Sequence, residues 1–301
     1  MLTIGSRGSQ LALWQARWVS ARLNELGHEC RIEVIRTTGD RITDVPLAKV
    51  GTKGLFTKEI EEALLAGAVD LAVHSLKDMP TEIPPGLKLA AIPEREDPRD
   101  AVVGRRLAEL GAGARVGTSS LRRTAQLLAL RPDLVVESLR GNLDTRLRKV
   151  AEGQYDAIVL AAAGLRRLGW ADRIAEILAP EAMCPAVGQG ALAIETRDDA
   201  GEAQEACAAL DHPPTRIAIT AERALLAGLG GGCQVPIGAH AVVAEGCVHL
   251  RATVASPDGA ILIRRECEGS ASEPERLGAE LAREIFDAGG QEILEAVYGG
   301  E

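Results

Sequence analysis

Short apolar runs alternate with helical periods along the first two thirds of the chain, and this rhythm restricts the possible folds more than any other feature. Leu2–Gly5, Ile32–Thr37, Val69–His74 and Leu87–Ile92 have the length and apolar content of buried strands. Ser9 opens a pattern in which Leu11, Trp14, Trp18, Leu23 and Leu26 recur at helical spacing before Gly27, and Thr57–Ala66 reads as a second helix. Two prolines among charged residues at Pro93–Asp100 mark a linker, beyond which the pattern restarts. Strands at 101–103, 115–117, 134–138 and 156–160 then alternate with helices beginning near Ser119 and Asn142. This order predicts an open, mainly parallel sheet covered by helices.

Pro185–Gly190 is a second Pro/Gly break, followed by a strand at 191–195 and a helix at 214–229 that runs into Gly-Gly-Gly. The tail changes character. Alternating segments at 237–243, 248–254 and 261–267, with a Ser256-Pro-Asp-Gly259 turn, precede helices near 273–288 and 291–297. They predict a small α+β domain. The length of 301 residues agrees with more than one core. Thr38–Gly54 has no clear period, and Lys49, Gly51, Lys53 and Gly54 suit a flexible loop.

Composition excludes several functions. No apolar run approaches the ~20 residues of a membrane helix, and no secretory signal opens the sequence, so a cytoplasmic protein with free thiols is expected. The six cysteines form no Cys-x-x-Cys pair and the histidines show no metal spacing, so no metal site is expected. A net charge of −9 and only 2% aromatic residues argue against nucleic-acid binding. That acidity is uneven. Between Arg115 and Lys149 eight basic side chains face three acidic ones, a basic island suited to a small anionic ligand.

Three predicted helix starts carry hydroxyls and arginines together: Ser6-Arg7-Gly8-Ser9, Thr118-Ser119-Ser120-Leu121-Arg122-Arg123 and Arg140-Gly141-Asn142. Free N–H groups and the positive end of the helix dipole favour anions there, and arginine grips a carboxylate with a planar fork. Asn142 and Arg146 share a helix face. With no Walker-type loop, the ligand reads as a polycarboxylate. His74-Ser-Leu-Lys77-Asp78-Met-Pro80 closes a strand at the sheet edge where ligands lie, and can point a carboxylate into a cleft. Cys233 stands at the tip of Gly230-Gly-Gly-Cys-Gln-Val-Pro236, where glycines leave a thiol accessible as a nucleophile or an attachment point.

Taken together, Arg7-x-Ser9-x-Leu-Ala-Leu-Trp-Gln15, Lys53-Gly-Leu-Phe, His74-Ser-Leu-Lys-Asp78, Gly117-Thr-Ser-Ser-Leu-Arg-Arg123, Arg140-Gly-Asn142, Ala161–Leu168, Pro185–Gly190 and Gly231-Gly-Cys233 resemble the porphobilinogen deaminase family, in its order and over essentially the whole chain. The resemblance implies an α/β fold with two hinged, doubly wound domains like those of periplasmic binding proteins, plus a small C-terminal α+β domain. Mapped here, domain 1 is 1–95 with 190–212, domain 2 is 99–185 and domain 3 is 213–301.

The implied activity condenses four porphobilinogen molecules head to tail, releasing ammonia, into the linear tetrapyrrole hydroxymethylbilane. The primer is a dipyrromethane cofactor joined by a thioether to the cysteine that Cys233 matches. Asp78 matches the catalytic aspartate. Arg7, Ser9, Arg122, Arg123, Arg140, Arg146 and Arg167 match groups that hold cofactor and substrate carboxylates, and Lys77 matches a cofactor contact. Gln15, Thr118, Ser119, Ser120, Asn142 and Gln189 are expected to add hydrogen bonds, and Lys49 and Lys53 to belong to the flexible loop. The family is typically monomeric. The competing class is a non-catalytic hinged protein that captures a small polycarboxylate, and it has no use for Asp78 and Cys233 together.

Overall fold

The computed structural model describes residues 1–41, 54–199, 201–231 and 235–298. In chain order the first elements are β1 (Leu2–Ser6), α1 (Gln10–Glu25), β2 (Cys30–Val34), α2 (Thr38–Arg41), α3 (Lys58–Leu65), β3 (Leu71–Ser75) and β4 (Leu87–Ala91). The middle of the chain supplies β5 (Asp100–Gly104), β6 (Arg115–Gly117), α4 (Leu121–Leu130), β7 (Val135–Glu137), α5 (Leu143–Ala151), β8 (Ala157–Ala161), α6 (Ala162–Arg167) and β9 (Ile174–Leu178). Then come β10 (Leu192–Arg197), α7 (Glu202–Ala208), α8 (Pro213–Gly228), β11 (Ile237–Ala244), β12 (Cys247–Ala255), β13 (Leu262–Ser270), α9 (Pro274–Ile285) and α10 (Gln291–Tyr298). Two compact units result: Met1–Glu96 with Gly190–Arg216, and Asp97–Gln189 with Ile217–Glu301.

The first unit is a five-stranded sheet in the order β2-β1-β3-β10-β4. Alternation along each strand sends Leu2, Ile4, Leu71, Val73, Leu192 and Ile194 to one face, where they pack on Ala16, Val19 and Leu23 of α1 and on Ala203, Ala206 and Cys207 of α7. Ala72 faces the other way, into a cluster with Ile60 and Leu64 of α3. Helices therefore cover both faces. On α1 the buried stripe is Ala12, Gln15, Ala16, Val19 and Leu23, while Trp14 and Trp18 are only half-buried and Leu26 is exposed. Of the large periodic side chains Leu23 lies on the contact line, while small residues at Ala12 and Ala16 let the helix approach the sheet closely and leave Trp14 and Trp18 beside it.

The second unit repeats this plan with the order β7-β6-β8-β5-β9. Val102 and Val159 join Leu127 of α4 on one face, and Val103, Ile158 and Leu160 join Leu147 of α5 and Leu165 of α6 on the other. The three-stranded antiparallel sheet β11-β12-β13 buries Val248, Leu250, Ala252 and Val254 against Leu225, Leu281, Ile285, Ile293 and Leu294 of α8, α9 and α10. Gly259, at φ +73°, closes the β12–β13 turn where a Cβ would meet the Ala125 carbonyl at 2.6 Å.

Neither large sheet is as parallel as the sequence rhythm suggests. β1 pairs in parallel with β2 and β3, but β10 runs antiparallel between β3 and β4. Likewise β5 runs antiparallel between β8 and β9. Both reversed strands directly follow a proline-containing break and enter without the crossover helix that keeps neighbours parallel. Most strands lie within two or three residues of their expected positions, whereas α2, α6, β9 and α7 carry too short a pattern to be read, and α2 stands at Thr38–Arg41 where a loop was expected. No helix among the described residues is long and apolar enough to cross a membrane.

Candidate active site

In the first unit a small cavity of about 70 Å³ opens where β1 and β3 end and α1 begins, lined by Arg7, Ser9, Gln15, Phe56, Thr57, His74, Ser75 and Asp78 among others. Ser9 caps α1, its hydroxyl accepting from the Ala12 N–H at 3.3 Å. One turn on, the buried Gln15 donates from Nε2 to Ser75 Oγ at 2.9 Å, tying α1 to the end of β3. The strand stops at Ser75, one residue past its expected end, and Leu76–Asp78 forms a single 3₁₀ turn that carries Asp78 to the cavity wall.

Arg7 is held on two sides. Its Nε donates to Asp40 Oδ1 at 3.1 Å, and its guanidinium carbon lies 4.1 Å from the centre of the Phe56 ring. Burial acts to raise the Asp40 carboxyl, but the Arg7 hydrogen bond and charge, with hydrogen bonds from Thr37, outweigh it and hold the group below the usual carboxylate range. Thr37 Oγ1 donates to Asp40 Oδ2 at 2.8 Å. Sequence reasoning gave no role to Asp40 or Thr37, and quoted Phe56 only within the Lys53-Gly-Leu-Phe motif; Asp40 lies in the stretch without periodicity.

The basic island of the second unit is organised around an acid that sequence reasoning also missed. Asp100 is fully buried at the start of β5. Arg122 Nη1 donates to its Oδ2 at 2.7 Å, while Arg123 Nη2 and Gln189 Nε2 reach Oδ1 at 2.8 and 2.9 Å. Arg122 Nη1 also meets the Cys184 carbonyl at 2.7 Å, and Arg123 Nη1 the Val159 carbonyl at 3.1 Å. Burial opposes the Asp100 charge, yet the two guanidiniums win and hold its carboxyl far below the ordinary range. Burial presses Arg123 downward from its usual value, and Asp100 offsets part of that. The legible signal for Asp100 was an acid directly preceding the apolar run Ala-Val-Val.

Around this centre Ser120 caps α4, accepting from Arg123 N–H at 3.4 Å, and its own N–H donates to Thr118 Oγ1 at 3.2 Å. Ser119 Oγ donates to the Leu139 carbonyl at 2.7 Å. Asn142 stands at the start of α5 and makes no side-chain cap. Gly141 reaches φ +114°, where a Cβ would press on Thr145 at 2.8 Å, and its carbonyl accepts from Arg146 Nε at 2.8 Å. Arg140, Arg146 and Arg167 are half-buried, as is Lys77 in the first unit. Cys233, Lys49 and Lys53 lie outside the described residues.

Two arginine forks grip the single Asp100 carboxylate, and the buried Arg122 Nε has no acceptor among the described residues. The described cysteines are free thiols. Burial pushes Cys184 and Cys207 up to about 12 and Cys267 to about 11, so none of these three is a ready nucleophile at neutral pH.

Comparison with known proteins adds the following. Residues 2–205 match the family model "porphobilinogen deaminase, dipyromethane cofactor binding domain", and residues 216–287 match "porphobilinogen deaminase, C-terminal domain". A porphobilinogen deaminase of Syntrophobacter fumaroxidans is 53% identical over 99% of this chain and 98% of its own length. One from Nitratidesulfovibrio vulgaris is 55% identical over 99% of this chain and 96% of its own length. Among solved structures, a periplasmic substrate-binding protein from Coxiella burnetii aligns with a TM-score of 0.43 at 13% identity, covering 70% of this chain and 91% of that one. The methionine binding protein MetQ aligns with a TM-score of 0.44 at 13% identity, covering 69% and 89%.

Proposed function

Since this chain belongs to the porphobilinogen deaminase family, we propose the following division of labour for the head-to-tail condensation of four porphobilinogens into hydroxymethylbilane. Asp78 is the catalytic carboxylate. Loss of ammonia from porphobilinogen leaves an electron-poor ring, and a fixed negative group near its N–H stabilises that positive charge as an oxyanion hole stabilises a negative one. The same carboxylate is placed to take part in the proton transfers that release ammonia. The observation that carries this reading is the company Asp78 keeps: one cavity holds it together with Arg7, Ser9 and Gln15. Arg7, steadied by Asp40 and Phe56, grips an acid arm of the substrate, and Ser9 and Gln15 orient it.

Arg122, Arg123, Arg140, Arg146 and Arg167 neutralise the acetate and propionate arms of cofactor and growing product, with Lys77 as a further contact. Thr118, Ser119, Ser120, Asn142 and Gln189 shape their surroundings. Dipyrromethane, bound as a thioether to Cys233, supplies a primer with a free pyrrole α-carbon. Lys49 and Lys53 belong to a loop that accommodates the lengthening chain. Domain 1 comprises 1–95 with 190–212, domain 2 99–185 and domain 3 213–301, in a cytoplasmic monomer. The cofactor-binding family match favours this enzyme over a non-catalytic polycarboxylate-binding protein.

Intact mass tests the covalent link. The purified protein should exceed its bare sequence by two porphobilinogens less two ammonias, and the Cys233→Ser variant should not. A bare mass in protein that turns over porphobilinogen would overturn the thioether.

A further inference from the structure

Two buried acids in this protein have opposite surroundings. Glu222 is fully buried, and its carboxylate accepts from the backbone N–H of Gly188 and of Ala241, each at 2.8 Å. Backbone donors explain that burial. Glu195 of β10 is equally buried, yet neither carboxylate oxygen has a hydrogen-bond partner among the described residues. What it faces is His74, whose Nε2 lies 3.2 Å from Glu195 Oε2 with side-chain exposures of 4% and 0%. The contact is close but not aligned as a hydrogen bond, and His74 Nε2 is itself unsatisfied.

A third group joins them. Glu61 of α3 is buried, and its Oε1 also lacks a partner among the described residues. Burial first, and then the charge of Glu195, raise the Glu61 carboxyl above its ordinary range against the pull of Thr57 and His74. Alternation explains the placement. His74 and Glu195 lie on adjacent antiparallel strands, with Ala72 opposite Glu195 and Ala193 opposite His74, and Ala72 faces the α3 cluster. The charged groups bearing on Glu61 from its own helix and from the strands beneath are Glu62, Glu195 and His74. On its other side His74 lines the cavity that also holds Arg7 and Asp78.

Two carboxylates and a neutral imidazole would place two uncompensated negative charges out of water, a cost that buried groups escape by keeping a proton. We propose that Glu61, His74 and Glu195 form a buried proton-holding cluster in the floor of the Asp78 cavity, and that its proton count sets the acid limit of turnover. With one proton the cluster carries a single negative charge and supports a cationic ring in the cavity. A second proton, taken up as pH falls, removes that support. His74 and the two glutamates are positioning residues that act on the reaction through the charge of the cavity floor. No bond is made or broken within the cluster, and it ends each round with the protons it began with. The proposal rests on the reading of Asp78 as the catalytic carboxylate.

The test compares kcat and KM for porphobilinogen across pH in the wild-type holoenzyme, Glu195→Gln, Glu61→Gln and the double variant. Wild type loses its last negative charge on its second proton and either single variant on its first, so the acid limb of kcat should stay within about half a unit of wild type in both. The double variant Glu61→Gln/Glu195→Gln, already neutral, should lose kcat at neutral pH and have its limb moved to lower pH by at least about half a unit. KM at neutral pH should stay within about twofold. Each limb is a ratio of rates within one variant, so it is read separately from how much Asp78 contributes. As a readout without turnover, ¹⁵N-histidine spectra of the wild-type protein should contain a resonance, absent from His74→Gln, that titrates with the acid limb. An acid limb in the double variant that coincides with wild type, or a His74 resonance that does not titrate with the limb, would overturn it.

Discussion

Gln15 Nε2 and Ser75 Oγ, sixty residues apart in sequence, meet at 2.9 Å and fasten the first helix to the last residue of the strand leading to Asp78. Gln15→Ala removes the donor and leaves a gap beside the buried end of β3. The expected cost is about 1–2 kcal/mol of stability, read from urea denaturation. A several-fold loss in kcat should accompany it, with a smaller change in KM, because what loosens is the position of Asp78. A KM effect larger than the kcat effect would contradict that role.

Asp78 itself gives the sharpest kinetic expectation. Asp78→Ala should keep the cofactor mass and fold normally, since its side chain is only half-buried, while kcat falls by about 10²–10³. Asp78→Glu keeps the charge at the wrong reach and should fall between the two. Rapid-quench turnover of porphobilinogen distinguishes these values, and a wild-type rate in Asp78→Ala would remove the assignment.

Asp100 makes a prediction about stability and its pH dependence. Asp100→Ala strands Arg122 and Arg123 in the interior and should cost about 3–5 kcal/mol. In wild type the folded carboxyl titrates below its unfolded value of about 3.9, so its stabilisation is complete above that pH. It declines as the pH falls below that value and is gone once the pH has passed the folded value. Denaturation midpoints measured from pH 7 down to pH 3 should therefore fall more steeply in wild type than in Asp100→Asn. Parallel curves would contradict the pairing.

Thiol labelling separates the cysteines. Cys184 and Cys207 are buried with thiols raised to about 12, so iodoacetamide at pH 7.5 should leave them unmodified in the native protein and react with both in urea. The partly exposed Cys247 should label ahead of both under native conditions. Peptide mass mapping reads each site separately.

Much of this architecture was legible in short patterns. Ser9 and the run Thr118-Ser119-Ser120 announced their helices because a hydroxyl next to an apolar period has a local physical reason to cap, and Ser120 is the residue that caps the second. β6 falls at Arg115–Gly117, where the alternation put it. The reversed direction of β10 and β5 was not legible, since strand polarity depends on which neighbour a segment finds across the sheet. Arg122 and Arg123 read as grips for an external carboxylate, yet the acid they hold in this structure is Asp100, more than twenty residues upstream. Chemistry of that kind is carried by long-range partners, and residue types alone specify the donor without its acceptor. The same holds for Glu61 and Glu195, which the helix and strand patterns treat as ordinary polar positions.

The antiparallel insertion of β10 between β3 and β4 also dictates an order of assembly. During synthesis the ribosome delivers β1 to β4, then the whole stretch from Asp97 to Gln189, before the strand that joins β4 to its sheet exists. Until Leu192–Arg197 emerges, β3 has an open edge and β4 has no neighbour, while β5 to β9 already contain everything their own sheet requires. The later-made sheet is thus free to mature first, and the cavity wall bearing Asp78 is finished only by a segment translated more than a hundred codons after it.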